Sequence, residues 1–131
     1  MIPRASFQSK ESLGAFYGAW ASSSDPVSSR IGSQMLELLP VLGAAVQGYR
    51  VWGLTSLSRL WLVARDEPSA EWLVGVQALS EGGFKVYRER NPLDESDGAV
   101  VGVAADPSTA CPLVLDAMTT SGAWSAAERT G

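Results

Sequence analysis

The sequence predicts an α+β fold: N-terminal helices, a four-stranded antiparallel meander sheet, and a C-terminal helix packed on one face of that sheet. Three observations predict it. Apolar residues recur at helical spacing up to about residue 47, they alternate with period two between residues 59 and 104, and helical spacing returns after residue 106. The links between the alternating segments are too short for parallel crossovers, which leaves a meander.

The first helix follows from Leu13, Phe16, Tyr17 and Trp20 at i, i+3, i+4 and i+7, and should begin near Ser9. The second should start at Asp25-Pro26, an N-cap side chain followed by the one residue that tolerates losing its N–H there. Val27, Ile31, Met35, Leu38 and Leu39 line its face, and Pro40 should end or kink it, leaving a second piece from Val41 to about Gln47. Arg50 to Ser56 reads as a tight connection packing Trp52 against the sheet.

Arg59 to Arg65, Glu71 to Leu79, Phe84 to Glu89 and Ala99 to Ala104 read as the four strands. Asp66-Glu67-Pro68-Ser69 is a turn, Glu81-Gly82-Gly83 a hairpin, and Asn91 to Gly98 a polar loop whose acidic run Asp94-Glu95-Ser96-Asp97 lacks calcium-loop spacing. The last helix opens at Asp106-Pro107, and Pro112 is expected within its first turn. Gly122 should cap it, with Trp124 folding back as an apolar latch.

The chain has 131 residues, a length that suits one domain, with residues 1–8 and 125–131 expected to be loose ends. It contains no histidine and one cysteine, Cys111. Ser-His-Asp and Cys-His nucleophile pairs, His-ligated or all-cysteine zinc and an internal disulfide are thereby excluded. No cofactor or metal is expected. Ten Lys and Arg against 14 Asp and Glu argue against a nucleic-acid partner, which normally demands a basic excess. No apolar run is long enough to span a membrane and no secretory leader is visible, so a cytoplasmic address is expected.

Strand phase gives the main functional expectation. If Leu60, Leu62, Trp72, Val74, Val76, Phe84 and Val86 face the helices, the outer face carries Arg59, Trp61, Val63, Arg65, Glu71, Leu73, Gln77, Lys85, Tyr87 and Glu89. A solvated sheet face normally turns polar, whereas Trp, Tyr and Arg together are the composition favoured at protein contacts. Trp61 and Tyr87 are therefore the expected anchors, Arg59, Arg65 and Lys85 orient the partner, and Leu73 adds apolar area. The bland reading is that Arg and Lys stems merely cover the aromatics as cross-strand pairs.

Two further readings stand beside it. A small-molecule module or small enzyme would place a pocket between helices and sheet near Trp52, Trp72 and Tyr17. For catalysis only the carboxylates Asp66, Glu67, Glu71, Asp94 and Asp116, the hydroxyls of Thr55, Ser56 and Ser58, and Tyr87 are available, and no spacing singles out a catalytic pair. The size, acidity and helix–meander–helix order resemble small bacterial toxin-immunity proteins and secretion chaperones. That likeness is one of layout only, so it fixes no residue and transfers no role. The Ala, Gly, Arg and Trp content suggests a GC-rich bacterial gene. The outer sheet face leads to the expectation of a non-enzymatic protein that binds another protein or pairs with itself.

Overall fold

The computed structural model describes residues 2–88 and 99–124. Within them the chain forms α1 (Leu13–Ala21), α2 (Pro26–Ala45), β1 (Trp52–Ser56), β2 (Arg59–Val63), β3 (Val74–Ala78), β4 (Phe84–Arg88), β5 (Ala99–Ala104) and α3 (Pro107–Ser121). The strands make one antiparallel meander, β1-β2-β3-β4-β5, with the helices on one face. The polar loop with its acidic run, Glu89 and the tail from residue 125 lie outside the described residues.

The sheet has five strands rather than four. The added strand is β1, and its hairpin to β2 closes through the two residues Leu57 and Ser58. Neither is Gly, Asn or Asp, so the usual hairpin signal is missing. Leu57 takes φ 56° at the tip, a left-handed conformation that costs a side-chain-bearing residue about 1–2 kcal/mol. Pairing tolerates this strain: five residues of β1 register against β2, and Tyr17 Oη donates to the Ser58 carbonyl at 2.9 Å.

Two prolines sit further inside helices than expected. α2 runs unbroken through Pro40, because Leu38, Leu39 and Leu42 on either side are buried in the core. Pro40 itself is exposed, so water can reach the Leu36 carbonyl that it leaves without a donor. Pro112 lies in the second turn of α3 rather than its first, again on the exposed side. The burial of Ala110, Cys111, Val114 and Met118 holds that helix around it. Burial also pushes the Cys111 thiol above its ordinary pKa, the behaviour of a small core residue.

α1 begins at Leu13, capped by Ser12, four residues after its expected start. It crosses α2 at Gly32, where a Cβ would lie 2.2 Å from the Ala21 nitrogen. The β3–β4 hairpin turns on Gly82 and Gly83 at φ 109° and 91°, as expected. Gln34 of α2 reads that turn, donating to the Leu79 carbonyl at 2.9 Å and accepting from the Gly83 N–H at 2.8 Å. Gly122 caps α3 at φ 75°, and the Trp124 indole folds back to donate to the Arg50 carbonyl at 2.7 Å.

The main core lies between helices and sheet. Leu60, Leu62, Val74, Val76, Phe84 and Val86 meet Leu13, Tyr17, Met35, Leu38, Leu42, Val114 and Met118 there. All six of these strand residues were expected on this face. Residues 2–8, expected to be loose, instead lie along β1: Ala5 N–H donates to the Gly53 carbonyl and Gly53 N–H to the Pro3 carbonyl, both at 2.8 Å.

Two helix caps give the fold an acid-sensitive limb. The Ser28 hydroxyl and N–H hold Asp25 below the ordinary carboxylate range, and the Thr109 N–H and hydroxyl do the same for Asp106. A folded pKa below the unfolded one stabilises above the unfolded value of about 4, and that contribution is lost as pH falls through the folded pKa. Replacing both by Asn, which caps without titrating, should flatten the acid limb of a urea-denaturation pH profile and leave stability at pH 7 nearly unchanged.

Candidate functional site

The outer sheet face is ordered by one row of residues. Antiparallel register aligns Leu54, Trp61, Gly75, Tyr87 and Val100 across all five strands. Gly75 lies at the centre, and a Cβ there would come within 2.8–2.9 Å of the Trp61 ring. The indole therefore lies flat over the backbone of β3. From there it reaches Trp72 with ring centroids 5.9 Å apart and Tyr87 at 6.4 Å. Both contacts are tilted, within the range where aromatic pairs attract.

Trp61 and Tyr87, the expected anchors, are covered by their own chain, at 1% and 4% exposure. Ala5, Leu54, Val63 and Ala70 close around Trp61, with Trp52 and Trp72 packed against the cluster. Above Tyr87 sit the Arg59 guanidinium, 5.5 Å from the ring centroid, and the Lys85 ammonium at 5.7 Å. The Tyr87 hydroxyl donates to Gln77 Oε1 at 2.7 Å. Over this half of the face the bland reading of the sequence describes the geometry: cationic stems and neighbouring chain shelter the aromatics.

The other candidates separate. Leu73 joins the inner core and Trp72 the outer cluster, the reverse of the expected phase. The cause is that β3 starts at Val74; residues 71–73 are irregular, so alternation does not extend back through them, and a one-residue slip exchanges faces. Arg65 lies beyond the end of β2 in a half-exposed ion pair with Glu67 at 3.1 Å. The pocket trio does not assemble: Trp52 and Trp72 are on the outer face and Tyr17 is buried beneath the helices. Burial raises the Tyr17 phenol well above its ordinary pKa, with Arg4 pulling weakly the other way, so it stays protonated as a donor to Ser58.

A hollow of about 130 Å³ opens between α2 and the N-terminal segment, lined by Ile2, Pro3, Gly43, Val46, Gln47, Tyr49 and Val51, and it includes none of the trio. Among the carboxylates, Asp66 accepts the Ser6 N–H and hydroxyl, each at 2.7 Å. Among the described residues no three metal-ligating side chains come together, and no helix is long and apolar enough to cross a membrane.

The open part of the outer face lies at β4 and β5. Val100, paired with Tyr87, is 51% exposed, and Val103, paired with Lys85, is 61% exposed. Residues three apart in a regular strand would face opposite ways. Here the register shifts between Val86 and Tyr87, inserting Val101 as an extra residue and bringing both valines to the outer side. Sequence reasoning missed this pair, because strict alternation across Ala99–Ala104 separates them. The one available signal was three valines within a six-residue strand.

These features define a class by geometry: a two-layer α+β sandwich with one apolar row across its uncovered face. No family model matches this chain, and neither does any curated protein or solved structure.

Two substitutions test whether the row is structural at its centre. Trp61→Ala should cost about 3–5 kcal/mol in urea denaturation. Gly75→Ala, which drives a methyl into the indole, should cost about 1–3 kcal/mol. A folded Trp61→Ala protein of unchanged stability would show that the indole supports nothing beneath it.

Proposed function

We propose that this protein is a non-enzymatic protein-binding module, of the inhibitor, immunity or chaperone kind, that docks through the β4–β5 end of its outer sheet face. One observation carries the reading. The row Leu54–Trp61–Gly75–Tyr87–Val100 is buried by its own chain at the β1 end and open at the β5 end, where Val103 widens it. Two half-exposed valines beside a Tyr flanked by Arg59 and Lys85 make an apolar strip with a cationic border. Apolar centres with polar rims are the usual anatomy of a protein contact.

The docking residues are accordingly Val100, Val103, Lys85 and Arg59, with the buried Tyr87 and Trp61 as the base on which they rest. The partner supplies apolar side chains over the valines and a carboxylate opposite Lys85. An identical copy of this chain is one such protein, and its two-fold pairing would have to bring acidic groups to the same border.

The experiment is a quantitative pull-down with wild type and a Val100→Asp, Val103→Asp variant shown by circular dichroism to be folded. One protein should be captured near stoichiometrically by wild type, and the variant should lose about 2 kcal/mol or more of binding energy. Capture unaffected by both substitutions would move the contact elsewhere. A saturable change in tryptophan fluorescence with a small molecule, without any captured protein, would favour a ligand-binding module instead.

A further inference from the structure

We propose that residues 2–8 are an edge guard, a built-in strand mimic that keeps β1 from pairing with a second copy of this chain. A meander has two terminal strands, and each presents a row of backbone N–H and C=O groups able to template another strand. The outward groups of β1 at Gly53 and Thr55 are all occupied. Gly53 exchanges its N–H and C=O with Pro3 and Ala5. Thr55 donates its N–H to Gln8 Oε1 at 2.8 Å, while Gln8 Nε2 donates to the Thr55 carbonyl at 2.6 Å.

The form of this pairing matters more than its presence. Backbone supplies the first two bonds, but at Thr55 a side-chain amide takes the place of a strand. After Ala5 the chain leaves in a turn, with the Gln8 N–H donating back to the Ala5 carbonyl at 3.1 Å. The segment thus satisfies β1 without becoming a sixth strand that would offer a new continuous edge. Pairing that does not propagate is what guarding an edge requires.

Three side chains hold the segment down. Arg4, its side chain nearly buried, donates to Thr55 Oγ1 at 2.7 Å and to Gln8 Oε1 at 3.1 Å. It also pairs with Glu11 at 3.5 Å and stacks 4.9 Å from the Phe16 ring. Ala5 is enclosed in the Trp61 cluster, and Ser6 is clamped by both oxygens of Asp66. Once the segment is released, the freed N–H and C=O groups of Gly53 and Thr55 are the same in every copy, so two β1 edges can pair antiparallel about a two-fold axis.

The test uses the full chain carrying Ser6→Ala, Gln8→Ala and Asp66→Ala, which removes the exposed clamp and the side-chain mimic but keeps Arg4. At a concentration low enough to keep the variant monomeric, hydrogen exchange at the Gly53 and Thr55 amides should quicken at least tenfold while the Val86 amide stays protected. In sedimentation velocity at matched concentrations the weight-average mass should rise more steeply with concentration for the variant than for wild type. A synthetic peptide of residues 2–11 should return the variant to the wild-type mass. Freely exchanging Gly53 and Thr55 amides at low concentration with no rise in mass at high concentration would overturn the guard, as would wild-type exchange rates in the variant at low concentration. If the triple variant unfolds, Gln8→Ala alone is read by the same two measurements against the same outcomes.

Discussion

The arrangement of the outer face depends on one contact, the Trp61 indole lying across Gly75. An indole needs a flat floor to lie parallel to a sheet, and any residue with a Cβ at position 75 would tilt it away. Because it lies flat, it fills the space between β1 and β4 and touches Trp72 and Tyr87 together. It also gives Ala5 and Ala70, two small side chains, a surface to pack on. A second, smaller core therefore exists on the side of the sheet where solvent would otherwise lie, and the N-terminal segment and the 64–73 connection are drawn over it.

The two ends of the sheet are treated differently as a consequence. At β1 the backbone is matched group by group, and Arg4 joins the N-terminal segment to β1 and α1 at once. A near-buried guanidinium is costly unless its donors are used, and here Thr55, Gln8 and Glu11 use them. At β5 no further strand follows among the described residues, and the exposed side chains are aliphatic. The proposed function and the proposed guard are two sides of this asymmetry: one edge closed by the chain itself, and one apolar strip left to meet something else.

The location of the proposed interface changes with that picture, while its composition does not. Aromatic and cationic residues do share the outer face, as strand phase indicates. Yet Arg59 and Lys85 stand over Tyr87 within a single molecule, and Trp61 is sealed below the surface. What stays open is aliphatic and lies at the rim. Among the described residues Leu57, at the β1–β2 tip, is the most exposed large apolar side chain, at 85%, and it takes a strained backbone angle as well.

By itself the sequence determined the class of fold, the helical and strand periodicities, the meander, the caps at Asp25, Asp106 and Gly122, and the inner face of β2 through β4. Each of these follows from local chemistry or from a repeat that spans several residues. Tertiary structure alone decided the rest. β1 was hidden because its hairpin lacks a glycine and is held by pairing instead. Pro40 and Pro112 are tolerated because flanking side chains are buried. Leu73 and Trp72 exchange faces because β3 starts late. Val100 and Val103 share a face only through a bulge that depends on how β5 registers against β4. In each case the deciding contact lies far away in sequence, where periodicity carries no information.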